Sequence, residues 1–404
     1  MQRSLEREDR NRGRRAAELA IPFFSYGFRP FFFGAALWAV VAMVLWIGTI
    51  TGLWNLGRGY GALAWHAHEM IFGYTAAVVA GFLLTAVPNW TGRLPVKGWR
   101  LILLFVLWCA ARVAFLVTGL TGPLPAVALD SLFLPCLLLV IAREVVIGRN
   151  WRNLKLLVLV AFLAAADIGF HAEVLISGSA NVGSRVGIAA IIGLIMLVGG
   201  RIVPSFTHTW LLRMGSEHLP VSFDRVDVMT LLFSTVALTL WVVMPKAEGT
   251  GIFFLSAALL QCARLWRWAG LHAWREPLVL ILHIGYAFVP LGFLLGAISI
   301  FVPHVFVGTE PLHAWTVGAI GLMTLAVMTR ATRGHTGRAL TASALTILTY
   351  AAIIAAAVLR IGAGALPQAY GVLLQLAGIA WIVAFGLFVV EYAPMLLRRR
   401  MKYG

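Results

Sequence analysis

Ten histidines stand in a chain otherwise short of ionisable groups. Three of them sit in two aromatic-flanked runs, Trp65-His66-Ala67-His68-Glu69-Met70 and Leu312-His313-Ala314-Trp315. Imidazole is a ligand for both haem iron and copper. A b-type haem held between helices needs one or two neutral imidazoles at one depth on different helices, inside an apolar sleeve. Copper accepts imidazole with methionine as a soft partner, and Met70 lies one turn from His66. Residues two apart on a helix point roughly 200° from each other. His66 and His68 therefore share one metal only if the helix start is unwound; otherwise one faces the bundle interior as a ligand and the other serves a different centre or bonds at the helix end. His171 follows Asp167 by four residues, on the same helical face, where the carboxylate could fix the ring's tautomer. His283 and His335 are further candidates, and Arg201 suits a carboxylate such as a haem propionate, or a lipid head group. His208 reads as an interfacial residue, and His218, His272 and His304 as solvated loop residues.

The elements that must position these side chains are membrane spans. Of 404 residues, 61% are hydrophobic and 12% charged, a composition that excludes a soluble globular chain. At about 20 residues per span, the apolar runs divide into twelve, near 31–54, 66–90, 100–120, 123–147, 154–177, 186–210, 227–244, 250–269, 277–302, 311–333, 339–361 and 366–396. The expected fold is thus all-α, a polytopic helix bundle over residues 21–397 behind an Arg-rich tail at 1–20. The short echo between Val87-Pro88-Asn89-Trp90-Thr91 and Val203-Pro204-Ser205-Phe206-Thr207, in spans four apart, suggests three arcs of four helices.

The net charge of +16 raises the question of nucleic acid. Its placement answers it, because the basic residues fall in alternate short loops with no compact basic domain. Arg93, Lys97, Arg100, Arg143, Arg149, Arg152, Lys155, Arg213, Arg225, Arg264, Arg267, Arg275, Arg330, Arg333, Arg338, Arg398, Arg399 and Arg400 share one side with the tail. The other side has only Arg58, Arg185, Lys246 and Arg360. Both termini are expected in the cytoplasm, with the lipid bilayer as the partner and no nucleic acid. His66, His68, His313 and His171 then lie toward the outer face, and His283, His335 and His208 toward the inner one. Arg112 and Asp130 are expected to pair between neighbouring spans. The aromatic segment Pro22–Phe33 is expected at the membrane interface or facing lipid. Cys109, Cys136 and Cys262 form no CxxC pair and read as core residues.

Several runs together resemble one family. They are Ser25-Tyr26-Gly27-Phe28-Arg29-Pro30-Phe31-Phe32, His66-Ala67-His68-Glu69-Met70-Ile71-Phe72-Gly73, Gly81-Phe82-Leu83-Leu84-Thr85-Ala86-Val87-Pro88-Asn89-Trp90-Thr91-Gly92, Gly199-Gly200-Arg201-Ile202-Val203-Pro204, Leu282-His283-Ile284-Gly285-Tyr286, and Met328-Thr329-Arg330-Ala331-Thr332-Arg333-Gly334-His335-Thr336-Gly337-Arg338. In these the chain resembles the NnrS family from residue 25 to 338. The resemblance implies a bacterial inner-membrane protein of about twelve helices containing haem b and copper. It also implies a link to denitrification and to protection against nitric oxide and nitrosative stress, with nitric oxide as small-molecule ligand. It implies no particular reaction; an oxidoreductase acting on nitric oxide is one reading, its electron donor open. By motif the histidines to expect at cofactors are His66, His68, His283, His313 and His335, with His171 behind them: one centre from His66 or His68 with His313, and a second from His283 with His335. The arrangement is similar to haem-copper oxidases, whose low-spin haem is held from spans 2 and 10. Their copper ligands on spans 6 and 7 have no counterpart here, so an ordinary oxygen reductase is not expected. A transporter with a histidine-lined pathway and a haem-based sensor or assembly partner are the alternatives.

Overall fold

The computed structural model describes residues 22–304 and 309–400; the expected tail at 1–20 lies outside them. The described residues are helical with no strand, and twelve helices are long and apolar enough to cross a membrane. They are α1 (Phe28–Ile50), α2 (Ala62–Thr91), α3 (Trp99–Leu116), α4 (Leu124–Ile147), α5 (Trp151–Ser177), α6 (Val182–Arg213), α7 (Arg225–Val243), α8 (Glu248–Trp266), α9 (Pro277–Phe301), α10 (Pro311–His335), α11 (Ala344–Ala365) and α12 (Pro367–Leu397). The chain is a multi-pass membrane protein with the expected number of spans. Differences lie at the ends. α2 begins four residues before the expected position 66, which puts His66 and His68 in its second turn, and His335 is the last residue of α10 rather than the residue after it.

Helices adjacent in sequence pack against one another around a ring that α12 closes on α1. The second helix of each group of four, α2, α6 and α10, lies inside that ring. Together they line an apolar cavity of about 80 Å³, and the Tyr74 and Thr324 hydroxyls join α2 to α10 at 2.6 Å. Each inner helix also contains a π-helical stretch, at Glu69–Thr75, Ile195–Gly199 and Ala314–Gly321. A π turn accommodates an extra residue and so re-aims the side chains on either side of it, which is why such turns recur at functional sites. In α2 the stretch begins directly after His68, and in α10 directly after His313. The altered ladder is supported from outside by the Trp108 indole N–H, which donates to the Gly73 carbonyl at 2.9 Å, and from within by the Thr75 hydroxyl, which donates to the Met70 carbonyl at 2.8 Å.

The aromatic segment corrects one expectation. Pro22–Phe24 is a short 3-10 turn, but Phe28, Phe31 and Phe32 belong to the first turns of α1 and are 0–1% exposed, packed inside the bundle rather than toward lipid. Arg29, also buried, donates to the carbonyls of Leu396 at 2.8 Å and Arg398 at 2.6 Å. A helix end leaves such carbonyls without intrahelical partners, so Arg29 caps α12 and ties the first span to the last. The face where they meet is the terminal face; the opposite one is the distal face.

Close helix packing rests on small residues. A Cβ at Gly183 in α6 would stand 2.6 Å from the Phe170 Cα in α5, backbone that cannot step aside. Gly183→Ala is expected to destabilise the bundle by about 1–3 kcal/mol, the usual range for overpacking. A lowered midpoint of thermal unfolding in detergent would register it, and an unchanged midpoint would contradict this packing.

Candidate metal centre

Near the distal face His68 of α2, Asp130 of α4, and Asp167 and His171 of α5 converge. One potential ligand atom from each lies within 4.8 Å of all the others, and all four residues are buried. The Nε2 atom of His68 is 2.9 Å from Asp130 Oδ2 and 3.1 Å from Asp167 Oδ1; the Nε2 atom of His171 is 3.2 Å from the same Asp130 oxygen. The remaining ring nitrogens are held from outside the quartet. Glu69 Oε1 lies 3.1 Å from His68 Nδ1, and the Tyr60 hydroxyl 2.7 Å from His171 Nδ1. Burial, with Asp167 and Glu69 nearby, pushes the Tyr60 phenol above its ordinary range, so it stays protonated. Phe72, Phe115 and Phe170 surround His68, with ring centroids 4.8–5.5 Å away, and keep the group dry.

Charge is the unusual property of this site. Arg112 of α3 bonds Glu69 Oε2 at 2.7 Å and also pairs with Asp130; the Trp38 indole donates to Glu69 Oε2 at 2.7 Å. The Arg112–Asp130 pair is the one expected from sequence. Three buried carboxylates nevertheless face a single guanidinium, leaving two negative charges when both imidazoles are neutral. Buried charge at that density demands a counter-charge: His68, both of whose ring nitrogens face carboxylate oxygens, would supply part of it as an imidazolium, and a divalent cation held by the quartet would supply all of it. Gly73 makes the assembly possible, because a Cβ there would meet Arg112 Nη1 at 2.4 Å and Glu69 Oε2 at 2.7 Å.

One detail departs from expectation. Asp167 and His171 share a face of α5, but their closest atoms are 3.6 Å apart, beyond a hydrogen bond, because His68 takes that carboxylate oxygen. Met70 is partly buried and packs against the apolar core. Asp130 and Glu69 were missed as site residues; the available signal was an acid directly after His68 inside an apolar span, which is costly unless it has a task.

His66 points away from this centre, as the 200° separation requires. Its ring stacks on Trp46 with centroids 4.2 Å apart, and it lies within electrostatic reach of His313 and Arg360. The His313 Nδ1–H donates to the Thr309 carbonyl at 2.8 Å, which leaves the lone pair on its Nε2. Among the described residues, the buried side-chain atoms without a hydrogen-bond partner include Trp65 Nε1 and His66 Nδ1 on α2 and Thr316 Oγ1 on α10. Such orphans are rare in native interiors. A ring nitrogen in need of a partner and an opposing imidazole on a second inner helix fit the requirement for a haem.

The terminal-side histidines have separate surroundings. His283 Nε2 bonds the Thr207 hydroxyl at 2.8 Å and sits beside Trp268, whereas His335 packs on the rings of Tyr26 and Phe28. Their contacts are with these groups and not with each other. His218 and His272, expected as solvated loop residues, are both exposed, and their rings stack with centroids 4.5 Å apart. Arg201 lies over the Trp90 ring and donates to Asn153 Oδ1 at 3.4 Å.

No curated protein matches the chain. The family model described as NnrS protein matches residues 22–400, the ring of twelve helices and every histidine discussed above, and the chain therefore belongs to the NnrS family.

Proposed function

We propose that the protein is a haem- and copper-binding protein of the bacterial inner membrane that binds nitric oxide and relieves nitrosative stress. The observation that carries this reading is the buried quartet of His68, Asp130, Asp167 and His171, which together with Glu69 and Arg112 holds two negative charges in excess when both imidazoles are neutral. Two imidazoles with two carboxylates form a donor set suited to copper in its divalent state. His68 and His171 would bind through Nε2, their Nδ1 protons directed at Glu69 and the Tyr60 oxygen. Those outer partners set ring orientation and tautomer. A haem would lie between α2 and α10 with His66 and His313 as its ligands. When bound, the two metals supply the affinity for nitric oxide; the protein's own residues orient the imidazoles, hold the protons on Nδ1 and exclude water. The apolar cavity between α2, α6 and α10 offers a small uncharged diatomic a resting place inside the bundle. The basic loops on the terminal face support cytoplasmic termini by the charge asymmetry of membrane insertion.

The test is metal and haem analysis of the purified protein, with optical and electron paramagnetic resonance spectra taken with and without nitric oxide. About one copper per chain, a Soret band and a nitric-oxide-dependent shift are expected. A protein free of haem and of transition metal after expression with both supplied would overturn the proposal.

A further inference from the structure

A second cavity, of about 630 Å³, lies on the terminal side of α5–α8 and is bounded by the start of α5, the second half of α6, the loop before α7 and the end of α2. Arg152, Lys155 and Arg201 line it, and none of the three has a carboxylate within ion-pair distance among the described residues. The contrast with neighbouring cations is sharp. Arg264, on the cavity's inner wall, bonds Asp227 at 2.8 Å, and Arg267 bonds Asp224 at 2.5 Å. The chain thus neutralises the cations beside the cavity and leaves three around it without a counter-ion, where their mutual repulsion favours an anion. Arg201 is held ready by the Trp90 ring, 5.4 Å from the guanidinium carbon, and by buried Asn153. The other lining is largely apolar and includes Trp90, Trp151 and Trp268. Indole rings at this level mark the head-group zone of a bilayer.

We infer that this cavity binds an anionic phospholipid, its phosphate head held by Arg152, Lys155 and Arg201 and its apolar body laid against the three tryptophans. Basic pockets between spans on the cytoplasmic side recognise anionic lipid head groups by this chemistry. The site is independent of the distal metal centre, so it stands whether or not that centre holds copper.

The experiment uses the full-length protein, delipidated in detergent and titrated with dioleoylphosphatidylglycerol or dioleoylphosphatidylcholine, binding being read by native mass spectrometry. An R152Q/K155Q/R201Q protein is compared with wild type, and R100Q serves as a control for an exposed cation outside the cavity. Saturable binding of the anionic lipid alone is expected, weakened on the order of 100-fold in the triple variant and unchanged in R100Q. Equal anionic-lipid affinity in wild type and triple variant would overturn the inference. Arg152 and Lys155 are exposed, so R152Q and K155Q examined singly preserve the test if the triple variant fails to accumulate; each must weaken binding about fivefold.

Discussion

Arg112→Met is expected to prevent the protein from accumulating in folded form. Methionine matches the aliphatic reach of arginine but removes the guanidinium that pairs with Glu69 and Asp130, beside which Asp167 is also buried. Breaking a buried ion pair by deleting one partner costs about 3–5 kcal/mol, and here one deletion orphans two carboxylates at once. Against a total stability of about 5–15 kcal/mol, that is enough to unfold most of the population. Size-exclusion chromatography of solubilised membranes would show the monodisperse peak reduced to a trace. The double variant E69Q/R112M discriminates the cause: restoring neutrality at Glu69 should recover part of the peak, whereas a role for Arg112 through shape alone predicts no recovery. A single R112M variant as abundant and as heat-resistant as wild type would refute the electrostatic account of this centre.

The second large effect concerns cofactor content, and its sign differs between the two distal sites. His68→Ala and His171→Ala are each expected to reduce bound copper by a factor of 100 or more while leaving haem in place, since removing one ligand of four destroys the site's geometry. His313→Ala is expected to do the reverse, abolishing the Soret band while copper remains. Tyr60→Phe, which alters only the group behind His171, should weaken copper binding by about 10–100-fold. The diagnostic outcome is the crossed pattern. If all three histidine variants lost both groups together, His66, His68, His171 and His313 would belong to one centre, and the separation of His66 from His68 would have no chemical meaning.

Much of the architecture could be read without coordinates because the bilayer imposes it. Span length follows from hydrocarbon thickness, and alternate loop charges follow from insertion, so twelve helices were countable. Burial within the membrane was harder to read. Phe28, Phe31 and Phe32 looked suited to lipid, yet they pack in the interior, and composition cannot separate these cases because lipid tails and protein cores are equally apolar. The π-helical stretches were invisible for a related reason: the one after His68 is supported by Trp108 on another helix, a tertiary contact with no local signature. The metal centre was half legible. Helical periodicity placed Asp167 beside His171 and turned His66 away from His68, both from local geometry. The meeting of α2 with α4 and α5, which joins His68 to Asp130 and Asp167, depends on the order of helices around the ring, and no spacing within one span encodes that order.

The cap that Arg29 places on the end of α12 has a consequence for biogenesis. A ribosome inserts the spans in order, so the seam between first and last cannot form until α12 has left the translocon. Up to that moment the nascent protein is an open crescent whose inner helices α2, α6 and α10 can be approached sideways from the lipid. On the proposed function, an ion for the quartet of α2, α4 and α5 would need only the first five spans, whereas a haem between α2 and α10 would wait for the tenth, so that closure by α12 would act as a deadline for loading the bundle.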